Sequence, residues 1–365
     1  MFKSTPHTLL GLSLAIAVAL PAGARAQAPA SNRNSYRQTN LVSDLPGVAK
    51  ATDPNLLNPW GAAFLPGGAF WISDNANGLS TLYTGQGNVI PAVFSVPAPS
   101  GQTTPSAPTG IVINVTQGFQ VPGTKLAANF IFSTEDGTIS AWAGGLATNP
   151  LNAVLAVDNS AGGTGAVYKG LAFGTTAAGN FIYATNFRAG TVDVFDSTFA
   201  PAGTKLLGTF KDPKIQAGYA PFGIQNINGN LFVTYALQNT AKHDDVACAG
   251  CGYVDVFDTD GRLLQHFASG GFLNAPWGLA LAPAGFGAFS NNILVGNFGS
   301  GAIDAYDLNG NFRGQVENPQ GRPLTIHGLW GLYFGGAAVS TPDTLYFTAG
   351  PAAETHGLFG SIAPN

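Results

Sequence analysis

Four charged or titratable residues stand in a row, Lys242, His243, Asp244 and Asp245, inside the sixteen-residue stretch Ala236 to Cys251. In a chain that is only 9% charged, this is the densest such cluster. An imidazole beside carboxylates moves protons near neutral pH, and the same pair ligates Zn²⁺. His327, Glu354 and His356 add further groups of this kind. A second set, Asp74, Glu135, Asn186 and Asn297, follows β-rich runs, and its carboxylate and amide oxygens suit Ca²⁺. The expected roles are therefore catalytic for His243, Asp244, Asp245 and His327. Asp74, Glu135, Asn186, Asn297, Glu354 and His356 are expected metal ligands. An ion held there, Zn or Ca, would polarise a carbonyl or activate water. Cys248 and Cys251, at C-x-x-C spacing, are expected to form a disulfide that staples the stretch, with a redox pair or a zinc site as alternatives. Gly252 excludes covalent haem, which needs His there. There is no G-x-S-x-G, H-E-x-x-H or P-loop pattern.

The elements that must position these groups come from an internal repeat. An Xaa-Gly pair leading into an apolar run recurs at Trp60-Gly61, Thr109-Gly110, Lys169-Gly170, Phe222-Gly223, Trp277-Gly278 and Trp330-Gly331. Each is followed by a β-rich run, such as Phe130-Ile131-Phe132-Ser133 or Leu345-Tyr346-Phe347-Thr348. A third run with apolar/polar alternation is clearest at Thr191 to Asp196, Tyr253 to Asp258 and Ile303 to Tyr306. Six units of roughly 50 residues with Gly-rich turns predict an all-β, six-bladed β-propeller. Tyr36 to Val42 precedes the first unit and is expected to complete the last blade, closing the ring. First-strand entries and second-to-third loops open on one face, which gathers three of the four histidines beyond the expected leader, the exception being His266. On that face Trp60, Lys169, Arg188, Trp277 and Trp330 are expected binding residues, although repeated aromatics also pack between blades. Asp193, Asp255 and Asp304, with Asp196, Asp258 and Asp307, recur in three blades and are assigned to turns and strand ends.

The chain has 365 residues, with 49 Gly, 24 Pro and 11% aromatics, which excludes coiled coils and helical repeats. A net charge of −4 leaves no electrostatic footprint for nucleic acid. Lys3 and His7, the apolar run Leu9 to Leu20 and the small residues before Gln27 predict a signal peptide over 1–26. A flexible segment over 27–35 and a single propeller domain over 36–363 follow. The apolar run is too short to span a bilayer, so a secreted or periplasmic monomer without membrane partners is expected.

Pro276-Trp277-Gly278-Leu279-Ala280, Leu294-Val295-Gly296-Asn297 and Ile303-Asp304-Ala305-Tyr306-Asp307 resemble the NHL group of six-bladed propellers, whose architecture is NHL- or TolB-like. Together with Asn40 to Asp44, Asn58-Pro59-Trp60-Gly61, Lys242 to Val246 and Phe347 to Pro351, they resemble a narrower family of exported bacterial propeller proteins over about residues 36 to 363. The Cys248-Ala249-Gly250-Cys251 stretch departs from that family, which has Gly and small residues there. The resemblance carries no activity. By fold analogy, six-bladed propellers include lactonases, arylesterases and lyases with metal-bearing channels, although the Gly-Glu-x-Pro start of gluconolactonase-type propellers is absent. Two readings follow: a metal-assisted hydrolase or lyase acting on a small molecule at the channel mouth, or a non-catalytic propeller that binds a glycan, peptide or partner protein.

Overall fold

The computed structural model of the chain describes residues 33–336 and 340–365. The expected signal peptide and residues 27–32 of the expected flexible segment lie outside the described residues. Six sheets follow one another along the chain, antiparallel except where the short strand Ala51–Thr52 pairs parallel with Tyr36–Ser43. Blade I holds Pro59–Ala63, Phe70–Asp74, Leu79–Tyr83 and Val89–Ser95, from the channel outwards. Blade II holds Pro108–Ile113, Phe130–Thr134, Thr138–Trp142 and Val154–Asp158. Blade III has three strands, Tyr168–Thr176, Gly179–Asn186 and Thr191–Asp196. Blade IV holds Tyr219–Ile227, Asn230–Leu237, Tyr253–Asp258 and Leu263–Ser269. Blade V holds Pro276–Leu281, Ile293–Asn297, Ile303–Tyr306 and Phe312–Gln315. Blade VI takes Leu329–Phe334, Leu345–Ala349 and Leu358–Pro364 from the end of the chain. Tyr36–Ser43 pairs antiparallel with Leu358–Pro364, so the expected closing strand joins the two ends of the ring.

The repeated Xaa-Gly pair is a bulge. In all six inner strands the register to the second strand shifts at this place, as between Pro59 and Ala62 or Tyr168 and Leu171. A bulge re-aims the preceding side chain, here into the channel. The glycine itself is dictated by the next blade. A Cβ on Gly61 would lie 2.5 Å from the Thr109 carbonyl oxygen, and one on Gly223 would lie 2.1 Å from that of Trp277. Hydroxyls of the second strand satisfy the bulge. Thr185 accepts from the Gly170 N–H at 2.7 Å and donates to the Phe222 carbonyl of the next blade at 2.7 Å. Thr348 repeats this between Gly331 and the Trp60 carbonyl, stapling blade VI to blade I.

Apolar side chains on the faces of adjacent sheets make six inter-blade cores, such as Trp71, Phe94, Ile111, Phe130 and Phe132 between blades I and II. A seventh core fills the axis itself with Trp60, Phe187, Phe222, Trp277 and Trp330. Burying aromatics of this size contributes about 2–3 kcal/mol each, so the axis is plugged at this level, while the inner strands of all six blades line a cavity of about 650 Å³ along the rest of it.

Candidate active site at the channel mouth

The six bulges present Trp60, Thr109, Lys169, Phe222, Trp277 and Trp330, with Lys169 the one charged side chain among them. Trp60 and Trp330 stack with centroids 3.4 Å apart, and Trp277 stands edge-on to both at 5.9 Å. The Trp277 indole N–H donates to the Lys169 carbonyl at 3.2 Å. Trp60 and Trp330 are almost wholly buried, at 2% and 1% exposed. The three tryptophans expected as binding residues are therefore packed on one another, because side chains from adjacent blades meet at the axis. Lys169 rests on this layer, its ammonium 5.1 Å from the Trp60 ring and 5.8 Å from that of Phe187.

Carboxylates crowd Lys169. Its ammonium bonds the Glu135 Oε1 and lies 3.6 Å from Asp244 Oδ1. Glu135 accepts a second hydrogen bond at 2.8 Å from Asn75. Asn58 donates to both Asn75 Oδ1, at 3.1 Å, and Glu354 Oε2, at 2.8 Å, and accepts from the Trp330 indole at 3.0 Å. One polar network thus runs over the aromatic layer from blade II to blade VI.

The charged stretch of blade IV folds back across this mouth. Asn239 N–H donates to the Asp244 carbonyl, Asp245 bridges Gln238, and Lys242 takes a left-handed φ of 54° at the tip. His243 Nδ1 lies 2.7 Å from Asp244 Oδ1. That hydrogen bond, reinforced by the Lys169 ammonium against partial burial, holds the Asp244 carboxyl down at about 2. Burial does the opposite to Asp245. It pushes the carboxyl up to about 6, opposed by Lys169 and assisted by the charges of Glu354 and Asp244. Glu354 is also raised by burial and by Glu135, against its bond from Asn58. Two adjacent aspartates in one site are thus tuned apart, one held ionised and one poised to exchange a proton.

Glu354 reaches the mouth on a strained turn. Ala352, Ala353 and Glu354 have φ of 54°, 54° and 66°. A left-handed conformation costs about 1–2 kcal/mol at each non-glycine residue, and such strain gathers where function fixes a side chain. The turn also walls a cavity of about 500 Å³ together with Phe298, Ser300, His327 and Glu354 itself. His327 is exposed at this wall.

Other expected site residues stay apart. His356 Nδ1 lies 2.7 Å from Asp44 Oδ2 and turns to the closing strand. Asn186 donates to Asp193 at 2.9 Å, and Asn297 donates to Asp304 at 2.9 Å, each within its own blade. Asp74 occupies the equivalent position in blade I, fully buried, with its carboxyl raised well above the ordinary range by burial. The shared position of these three is at a hairpin inside each sheet, so they do not converge on one ion. Arg188 donates to the carbonyls of Gly163, at 2.8 Å, and Gly165, at 3.0 Å, and holds a blade III loop. Of the expected metal set Glu135 and Glu354 come close to the blade IV stretch, and Glu135 alone shares a possible ion position with it. One donor atom each of Glu135, His243 and Asp244 lies within 4.8 Å of the others. Cys248 and Cys251 lie at disulfide distance, with Cα atoms 5.3 Å apart. Sequence reasoning missed Asn58 and Asn75. The Asn58-Pro59 step just ahead of the first Trp-Gly pair was the available signal for the former.

No protein-family model matches the chain. Uncharacterized protein R648 of Acanthamoeba polyphaga mimivirus is 34% identical to it over 337 residues, covering 90% of this chain and 80% of the viral one. Uncharacterized protein L690 of the same virus is 32% identical over 337 residues, covering 90% and 86%. Among solved structures, a glucose dehydrogenase matches 89% of this chain and 98% of its own, with a TM-score of 0.55 and 11% identity. The soluble aldose sugar dehydrogenase of Escherichia coli in its apo-form matches 91% and 100%, with a TM-score of 0.51 and 12% identity. At these identities the likeness is one of fold, the β-propeller.

Proposed function

The chain belongs to the family of the mimivirus proteins R648 and L690, and from that premise we propose that it is an exported bacterial hydrolase or lyase acting on a small molecule at the channel mouth. The observation that carries the reading is Lys169, a buried cation on an aromatic layer that interacts with four carboxylates, Glu135, Asp244, Asp245 and Glu354. A buried ammonium of this kind is placed to polarise a substrate carbonyl and to stabilise the oxyanion that develops from it. Asp245, poised near 6, supplies or takes the proton, and His243, oriented by Asp244, is the second carrier. The cavity beside Glu354 and His327 has the size of small-molecule sites. The predicted leader and the cysteine pair at disulfide distance support export.

Glu135, His243 and Asp244 are the donors that would hold a divalent ion, which would supply an activated water. The Lys169 ammonium already contacts Glu135 and Asp244, so an ion and the ammonium compete for the same oxygens. Polarisation and proton transfer are therefore assigned to the chain's own groups. A binding propeller would want an exposed aromatic rim, and the three tryptophans are buried.

Turnover of lactones and small esters by the purified mature chain tests the reading, with elemental analysis before and after EDTA dialysis. Hydrolysis that falls at least 100-fold in both Lys169→Met and Asp245→Asn, with the fold retained, supports it. Rates unchanged by these substitutions, or ligand capture without turnover, contradict it.

A further inference from the structure

Blade III lacks a fourth strand, and the segment 197–218 that follows its third strand crosses onto blade IV instead. Gly208 N–H donates to the Asp260 carbonyl, Phe210 N–H donates to the Gly261 carbonyl, and the Phe210 ring packs on Phe257 at 5.4 Å. This crossing delivers Asp212 to His266 and Asp255, on the fourth and third strands of blade IV. His266 Nδ1 lies 2.7 Å from Asp212 Oδ2 and 2.9 Å from Asp255 Oδ1. One donor atom of each residue falls within 4.8 Å of the other two.

We propose that Asp212, Asp255 and His266 form a binding site for a divalent transition-metal ion, with Zn²⁺ as the best chemical match, which pins segment 197–218 to blade IV.

Two carboxylates and one imidazole are a borderline donor set of the kind Zn²⁺ takes. Both carboxylate side chains are buried, at 1% and 0% exposed, and face one another, which is costly without a compensating cation. His266, 18% exposed, leaves a path from solvent. A second observation points the same way. Asp255 Oδ2 and the Tyr235 hydroxyl are both buried, with no hydrogen-bond partner but each other among the described residues. A cation beside Oδ2 would take this acceptor over from the neutral hydroxyl. The site is separate from the channel mouth and stands whether or not that mouth is catalytic.

The test is calorimetric titration of the EDTA-dialysed full chain with Zn²⁺, with Mn²⁺ and Ca²⁺ for comparison, and thermal melts with and without Zn²⁺. The expected result is one equivalent of Zn²⁺ bound in preference to Ca²⁺. Affinity should fall at least 100-fold in Asp212→Asn and His266→Gln and stay within about threefold in His243→Ala. Zinc should also raise the melting temperature of the unaltered chain and of His243→Ala, but not of the other two. Asp212 sits on a connecting segment, so its variant keeps the blade intact. Zinc binding that survives Asp212→Asn, that is lost only in His243→Ala, or that is absent altogether would overturn the assignment and leave the three residues as an ion triad.

Discussion

Replacing Lys169 by methionine keeps the unbranched apolar stem and removes the charged terminal atom. The substitution leaves Glu135, 11% exposed, without its cation, and takes the ammonium off the Trp60 ring. Removing one partner of a buried ion pair costs about 3–5 kcal/mol. The Asn75 hydrogen bond remains on Glu135 and places the loss toward the lower end. The lost cation–π contact contributes about 1 kcal/mol. Asp244, whose side chain is 61% exposed, adds little. The expected destabilisation is therefore about 3–4 kcal/mol, read as a shift in urea midpoint at pH 7 with unchanged slope. Most of it is the penalty of an orphaned carboxylate, so adding Glu135→Gln should recover about 2 kcal/mol, a coupling that a double-mutant cycle isolates. A Lys169→Met variant within about 1 kcal/mol of the unaltered chain, or a double variant no more stable than the single, would refute the ion-pair reasoning.

Gly223→Ala should cost at least about 3 kcal/mol or prevent folding, because its Cβ would meet the Trp277 carbonyl at 2.1 Å; Gly203→Ala, in open space, should stay within about 1 kcal/mol in the same denaturation assay. Replacing Ala352 and Ala353 together by glycine should raise stability by about 1 kcal/mol, strain relief exceeding the added chain entropy, while turnover falls as Glu354 loses its fixed position. Asp245→Asn should flatten the dependence of stability on pH. The unfolded carboxyl titrates near 3.8 and the folded one near 6, so the folded state keeps the proton longer and its advantage, full below about 4, is lost as pH rises through 6. The unaltered chain should therefore lose up to about 3 kcal/mol across that window that the asparagine variant does not, measured by denaturation at pH 4 and 7.5.

The ring was legible because its signal repeats. Each Xaa-Gly pair marks a bulge, in five of the six blades one where the next blade's backbone excludes a Cβ, and Lys169 stands out as the one cation in that series. The blade IV stretch was legible as an insertion rich in charge. Its coming together with Glu135 and Glu354 was not, since hairpins from three blades meet there. Equivalence between blades was misleading for Asn186 and Asn297. Residues at the same place in successive blades share a local role, here bonding Asp193 and Asp304, rather than a common ligand. Pro351 to Glu354 carries no sign of its geometry, because alanines favour right-handed helix and only packing holds them left-handed. Asp212, Asp255 and His266 lie far apart in sequence, and the missing fourth strand of blade III that joins them leaves no motif.

The most direct test of the channel mouth as an acid–base site is a carboxyl ¹³C NMR titration of Asp245 in the unaltered chain and in Lys169→Met. A midpoint near 6 that moves upward when the ammonium is removed is the expected result. A midpoint near 3.8 that does not respond to Lys169 would contradict it.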